Sequence, residues 1–481
     1  MKNIVLFLLL QTFCLNITAQ NDRVVFWLHG LGGDNAAFTK AAFATTHNSP
    51  NQPVGYPARK AYSVQLGYES QSYNLATAAG YIETKVRAED NATFSNGLTN
   101  FSNNFIIAHS QGGLVARRLD MLYAQNPSLG RRINGIVTFG TPHQGAKILD
   151  NVNKFGDFIT SGCTELTAGP ISELIESNFL LDLVTSGTQV SQVVAPLCSL
   201  FGGVAPLQFN DFTAPITNDY KPSDPTILNQ LNSFPSTIPK VGFYGIEDKE
   251  TQAWRVMYNV VDKKPNEFPA FTADQDDKLV NTVNMNKQKY AAKQAEWDYV
   301  YFASLNFKCV DWWEWFFFPT WCWGINQDID DANNNRLAWK RGVDWWTGAN
   351  DRFRVITGAL ETITTQIQVP ECNCSAYDYD GNEVSSWTAF GDANGCPTDL
   401  GWLTSCYLNG NIVTTNEFTT VENPGDGIVL RESAMNFPGA QAIAVMQGSN
   451  HQQMRNDTNT KNRLNELWGG THGFFFATAE K

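Results

Sequence analysis

Positive charge is scarce in this chain. Lysine and arginine total 34 against 47 aspartates and glutamates, a formal charge of -13 with a pI near 5.0. A surface of that balance repels phosphate backbones, so no nucleic acid partner is expected. Beyond the N-terminus no apolar run reaches the roughly 20 residues needed to cross a bilayer, so no transmembrane segment is expected. There is no internal repeat, which sets aside solenoids and propellers, and no low-complexity segment beyond Asn333-Asn334-Asn335. Cys372-Asn373-Cys374 has neither a second close pair nor a neighbouring histidine, which makes it a poor zinc site. Histidine is rare as well: His29, His47, His109, His143, His451 and His472 are all there are, so the candidates for a general base are few.

What is present is a globular composition, 43% hydrophobic and 17% charged, with 14 tryptophans and 31 phenylalanines. So many large rings require a thick core or an apolar binding surface. The first residues look like a secretory signal: Lys2, the apolar run Ile4 to Leu10, and Ile17-Thr18-Ala19 before a cleavage point. Gln11-Thr12-Phe13 lacks the small residues that would make Cys14 a lipoprotein cysteine. A secreted or periplasmic protein is expected. Removing the leader leaves eight cysteines, an even count that favours disulfides. Proximity suggests Cys163–Cys198, Cys309–Cys322 and two bridges among Cys372, Cys374, Cys396 and Cys406.

The chain is organised around Phe105-Ile106-Ile107-Ala108-His109-Ser110-Gln111-Gly112-Gly113. A short apolar run enters a serine with small neighbours, and Val115, Leu119 and Leu122 then repeat at helical spacing. This pattern predicts a strand, a sharp turn and a helix, with the Ser110 hydroxyl held at the C-terminal edge of a sheet. Similar apolar strands are expected at 23–28, ending in His29-Gly30-Leu31-Gly32-Gly33, at 62–68, at 133–139 before Gly140-Thr141-Pro142-His143-Gln144-Gly145, at 240–246 and at 440–447. Helices are expected over Leu75 to Val86, 286–303 and 460–468, and a closing strand over 473–478. Strands alternating with helices imply a mostly parallel sheet covered on both faces, the α/β class.

A serine hydroxyl needs a base to take its proton and an acid to orient that base. His451 follows the last sheet strand at the edge where Ser110 sits and is the expected base. Two carboxylates are candidates for the acid: Asp426 in Pro424-Gly425-Asp426-Gly427-Ile428-Val429, favoured by the order serine, acid, histidine, and Asp248 after the strand ending at Ile246. The backbone amides of Leu31 and Gln111 are expected to bind an oxyanion, with His29, Gly30, His109 and His143 lining the site.

Five motifs, His29-Gly30-Leu31-Gly32-Gly33, His109-Ser110-Gln111-Gly112-Gly113, Thr141-Pro142-His143-Gln144-Gly145, Asp426-Gly427-Ile428-Val429 and Asn450-His451, occur in this order. Together they resemble the landmarks of secreted bacterial triacylglycerol lipases of the α/β-hydrolase fold. The resemblance covers about 20–145, 236–247 and 420–481. It implies Ser110 as nucleophile, Asp426 as acid and His451 as base, with Leu31 and Gln111 as oxyanion donors. Ala108 departs from the family's glycine, and Gln453 stands where many relatives carry an aspartate calcium ligand.

The resulting division is a signal peptide at 1–19, hydrolase core at 20–145, a first cap or lid insertion at 146–236, a core strand at 237–247, an aromatic and cysteine-rich second insertion at 248–420, and core again at 421–481. The greasy stretches 190–209 and 312–323 suit a cap core or a lid, the apolar piece Ile171 to Val184 looks helical, and Asp380-Gly381 and Asn409-Gly410 read as turns. The acidic runs Asp328-Ile329-Asp330-Asp331 and Asp378-Tyr379-Asp380-Gly381 suit solvated loops or turns better than calcium sites. The expected activity is serine carboxylic-ester hydrolysis on lipid or other apolar esters, without a cofactor or metal and with room for transient lipid-surface contact. Rival readings are a thioesterase, polyester depolymerase or amidase with the same groups, and a non-catalytic surface binding protein.

Overall fold

The computed structural model describes residues 23–38, 41–42, 61–93, 103–158, 214–261, 276–308, 319–392, 395–398 and 403–478. The expected leader, the stretches at 171–184 and 190–209, Cys163, Cys198, Cys309 and most of the aromatic run at 312–321 lie outside these residues.

The strands are β1 Arg23–Leu28, β2 Ala61–Leu66, β3 Phe105–His109, β4 Ile136–Phe139, β5 Lys240–Ile246, β6 Leu360–Tyr377, β7 Glu383–Phe390, β8 Thr404–Glu422 and β9 Ala442–Gln447. The helices are α1 Leu75–Thr93, α2 Gln111–Gln125, α3 Thr226–Ser233, α4 Gln252–Val261, α5 Asp276–Ser304, α6 Pro319–Thr357, α7 Arg431–Met435 and α8 Thr458–Trp468. Two compact units emerge, one of residues 1–359 and 423–481 and one of 360–422.

The larger unit is built on a six-stranded sheet in the order β2-β1-β3-β4-β5-β9. Every neighbouring pair runs parallel. Residues along β1 alternate between two cores: Val24, Phe26 and Leu28 join one, Val25 and Trp27 the other. Ile106 and Ala108 of β3 face the first core, Phe105 and Ile107 the second. Burial on both faces explains why these strands are continuous apolar runs. This is the α/β-hydrolase arrangement, with β1, β3, β4, β5 and β9 all delivering their C-terminal ends to one edge. The chain leaves this unit at Ala359 and returns at Asn423, whose backbone N–H donates to the Ala359 carbonyl at 2.9 Å and whose side-chain amide donates to the Gly358 carbonyl at 3.0 Å.

The smaller unit is a three-stranded antiparallel sheet, β7-β6-β8. Two disulfides, Cys372–Cys396 and Cys374–Cys406, tie it together. They commit both sulfurs of the Cys-Asn-Cys motif and remove the zinc alternative. Cys322, in the larger unit, is also disulfide-bonded.

Two local expectations are corrected. Residues 474–476 form one turn of 3-10 helix, not a closing strand. Its rings pack against Phe105 instead of extending a ladder, so an apolar run was mistaken for a strand. Asn409-Gly410 is no hairpin turn. It lies inside β8, where the register against β6 shifts opposite Pro370–Cys372 and Gly410 takes φ +87°, as a bulge requires. Asp380-Gly381 does close the β6–β7 connection, with the Asp378 carboxylate accepting the Asp380 and Asn382 amides.

Candidate active site

β3 ends at His109 and α2 begins at Gln111, so a single residue makes the turn between them. Ser110 adopts φ 53° and ψ -131° and is the sole non-glycine with positive φ among the described residues. Such a backbone costs about 1–3 kcal/mol and persists only where its surroundings fix it. Here the Ser110 N–H donates to the Phe139 carbonyl at 2.8 Å, and the Ser110 carbonyl accepts from the Thr141 hydroxyl at 2.9 Å and the Gly113 N–H at 3.0 Å. Close approach also dictates residue size. A Cβ on Gly30 would lie 2.7 Å from Ser110 Cβ, and one on Gly112 only 2.4 Å from the His29 carbonyl oxygen. Ala108 is fully buried in β3, registered between Leu28 and Thr138, so its methyl is accommodated where the lipase pattern has glycine.

His451 lies four residues beyond β9 and turns back over this elbow. Its Nε2 is 2.8 Å from Ser110 Oγ, and its Nδ1 is 2.8 Å from Asp426 Oδ2. The hydroxyl can thus donate to Nε2 while Nδ1–H donates to the carboxylate. The other carboxylate oxygen of Asp426 accepts the backbone N–H groups of Ile428 at 3.0 Å and Val429 at 2.7 Å. The His451 N–H donates to the Asp426 carbonyl at 2.9 Å, which ties the two loops by their main chains. Gly427 at φ +92° lets this tight loop form. All three side chains are buried, Ser110 the least so at 9% exposure. Asp248 is not part of this group: its carboxylate accepts the Glu250 amide and the Thr251 hydroxyl in its own turn.

The histidines expected along the site lie beneath it. His109 Nε2–H donates to the His451 carbonyl at 2.6 Å, and burial first, then the neighbouring His451 and Arg455, hold its pKa well below the ordinary histidine value. His29 stacks on Tyr68 with ring centroids 4.5 Å apart. It bonds the Gly30 carbonyl through Nδ1 and accepts the Tyr68 N–H at Nε2, and burial lowers its pKa. Gly30 leaves the space that Ser110 occupies. His143 lies between Arg117, 3.1 Å from its Nδ1, and Phe437, stacked at 4.1 Å; burial and then the Arg117 charge hold it well below its ordinary value. Each is a neutral ring bracing a loop.

Two backbone amides of the flanking loops have no acceptor among the described residues. That of Gln111 opens α2 and therefore has no intrahelical acceptor. That of Leu31, in the glycine-rich loop after β1, makes no hydrogen bond to the described residues. Gln453, which stands where the lipase pattern has a calcium-ligating aspartate, accepts the Asn450 N–H at 3.1 Å and an Arg255 N–H at 3.4 Å. A cation stands already at that oxygen, and no metal-binding cluster occurs among the described residues.

Sequence reading missed the Thr141 hydroxyl, although its motif was noticed, and the Ser449–Asp457 bond of 2.5 Å that ties the His451 loop to the start of α8. Asp457 accepts the Thr460 N–H as the helix N-cap, a signal visible as Asp457-Thr458-Asn459-Thr460.

No curated protein matches the chain. Among solved structures it is similar to the phospholipase PlaB from Legionella pneumophila, 16% identical with a TM-score of 0.19. That match covers 26% of each chain, so this chain spans about a quarter of that relative. It is also similar to the mature lipase BlEst2 from Bacillus licheniformis, 14% identical over 50% of this chain and 75% of that one, with a TM-score of 0.26. A third likeness is to YbtT, the type II thioesterase of the yersiniabactin pathway, 18% identical over 49% of this chain and 79% of the other, TM-score 0.26. Residues 23–195, from β1 through the Ser110 elbow and the Thr141 loop, match the family model described as palmitoyl protein thioesterase. The chain is thus similar over that region to palmitoyl protein thioesterases, and its fold is that of an α/β hydrolase.

Proposed function

We propose that this protein is a serine hydrolase that cleaves carboxylic esters of apolar acids through an acyl-enzyme on Ser110. The observation that carries the reading is the continuous chain Ser110 Oγ, His451, Asp426, with 2.8 Å at both links. His451 takes the hydroxyl proton as Oγ attacks the acyl carbonyl, and then returns it to the leaving alcohol. Asp426 fixes the imidazole tautomer and balances the charge the ring acquires. The Leu31 and Gln111 amides receive the oxyanion of the tetrahedral intermediate. Water then repeats the attack, with His451 as base, and releases the acid.

A thioester substrate is the second reading, favoured by the match over residues 23–195. The same groups serve it, and the thiolate leaves more readily than an alkoxide. Export to an oxidising compartment is part of the proposal, supported by the two disulfides of the smaller unit. No described helix is long and apolar enough to cross a membrane.

The test is one substrate panel, p-nitrophenyl esters and acyl thioesters of graded chain length, assayed with the wild type and Ser110→Ala. The expected result is turnover that rises with acyl length and falls by about six orders of magnitude in the variant, as when other such serines are removed. Undiminished turnover by Ser110→Ala sinks the assignment. A kcat/KM for thioesters well above that for matched esters moves the protein to the second reading.

A further inference from the structure

His451 and Asp426 sit on separate loops, so their 2.8 Å contact needs both loops held against a common support. The main-chain bond from the His451 N–H to the Asp426 carbonyl fixes one point only. The end of β5 supplies two more. The Glu247 N–H donates to the Gly425 carbonyl at 2.8 Å, just before Asp426, and the Ile246 carbonyl accepts the Gly448 N–H at 2.7 Å, just before the His451 turn. The remaining support comes from α4, which follows β5 and reaches both loops. On the Asp426 side, a Cβ on Gly427 would lie 2.2 Å from Val256 Cγ2, so the helix packs directly on that loop. On the His451 side the contact is made by Arg255.

The Arg255 Nε lies 3.1 Å from Glu247 Oε2, in an ion pair whose carboxylate is fully buried. Its Nη2 donates to the Gly448 carbonyl at 3.2 Å and to Gln453 Oε1 at 3.4 Å, one on either side of His451. The Arg255 backbone carbonyl accepts the Asn450 side-chain amide at 3.3 Å. The Asn450 side-chain oxygen in turn accepts the Gln452 and Gln453 N–H groups at 3.0 and 2.9 Å, which closes the turn around the histidine. A carboxylate fixed at the strand end thus aims a planar fork at both flanks of His451. A lysine ammonium is a compact point charge and cannot hold Glu247 and both flanks in that geometry.

We propose that Arg255 is a positioning residue that sets the distance between His451 and Asp426, acting through the turn at 448–453. The inference rests on the hydrolase reading of Ser110, but one of its readouts is independent of turnover.

The test compares the full-length wild type with Arg255→Lys and with the double variant Arg255→Met/Glu247→Gln, which leaves neither charge buried alone. The first readout is the downfield proton resonance of His451 Nδ1–H in its bond to Asp426, assigned by its loss in His451→Gln. It is expected in the wild type and to be broadened or lost in both variants. The second is steady-state kinetics on the ester or thioester that the wild type turns over. There kcat is expected to fall about 10–100-fold with KM unchanged, since small displacements of a reacting group have effects of that order. Either variant decides the matter if the other fails to fold. A variant that melts lower but keeps the resonance and the wild-type kcat overturns the proposal and leaves Arg255 a role in stability alone. A loss confined to KM, or a wild type without the resonance, overturns it too. If the wild type hydrolyses neither esters nor thioesters, the reading of Ser110 fails, while the resonance still decides whether Arg255 holds the pair.

Discussion

At the scale of single residues, two aspartates that look alike in sequence have different surroundings. Asp248 follows β5, and Asp426 lies just past Asn423, where the chain returns to the larger unit. Asp426 is almost fully buried, with one oxygen on two backbone amides and the other on His451; Asp248 caps its own turn in solvent. Asp426→Asn is expected to lower kcat by about four orders of magnitude, because an amide can donate and so stabilises the wrong imidazole tautomer, while Asp248→Asn stays within about a factor of two. Steady-state kinetics on one chromogenic ester compares them, and equal losses would remove the distinction. The serine and histidine stood out in sequence because their immediate neighbours are unusual. His109, His29 and His143 were legible only as nearby residues. Which carbonyl or guanidinium each ring meets depends on segments up to 342 positions away, as for His109 and His451, and no local pattern encodes such a meeting.

At the scale of elements, β3 and α2 form the elbow, and the loop after β4 holds it. The Thr141 hydroxyl is that hold, and Gly113 is its counterpart: a Cβ there would lie 2.0 Å from Thr141 Oγ1. Thr141→Val keeps the shape and deletes the donor. It is expected to reduce kcat by about 10–100-fold with little change in KM, since small displacements of a reacting atom have effects of that order. Thr141→Ser should restore most of the rate, which a purely structural role for the methyl would not allow. The strands of the parallel sheet were legible because burial on both faces leaves uninterrupted apolar runs. The same rule misread 474–476, where three phenylalanines occupy a single 3-10 turn. The α5–α6 pair was half visible: the helix over 286–303 was expected, but α5 extends over 276–304 and α6 over 319–357. Their rings and charges are spread around the helix with no single apolar stripe to read.

At the scale of the whole molecule, burying neutral histidines makes stability depend on pH. His109 and His143 are held well below the ordinary value in the fold, chiefly by burial. In the unfolded chain each titrates near 6.5. Below that pH the unfolded state binds protons that the folded state refuses. The stabilising contribution is therefore fully present above about 6.5 and is lost as pH falls toward each depressed value. The expected slope is about 1.4 kcal/mol per pH unit for each histidine, and His143→Gln should make the decline shallower by one such increment. Denaturant melts between pH 7.5 and 5.5 measure it, and a variant with the wild-type slope would contradict the assignment.

The return point of the smaller unit has a consequence for how this protein tolerates change. Because Asn423 bonds directly to Ala359 and Gly358, 63 residues leave and rejoin the larger unit through one doorway. No strand of the parallel sheet has to be rethreaded when the segment between those two points grows, shrinks or is exchanged. Homologous chains can therefore differ widely in length between these two points while keeping the register of β5 against β9, and with it the spacing of the loops that carry Ser110, Asp426 and His451.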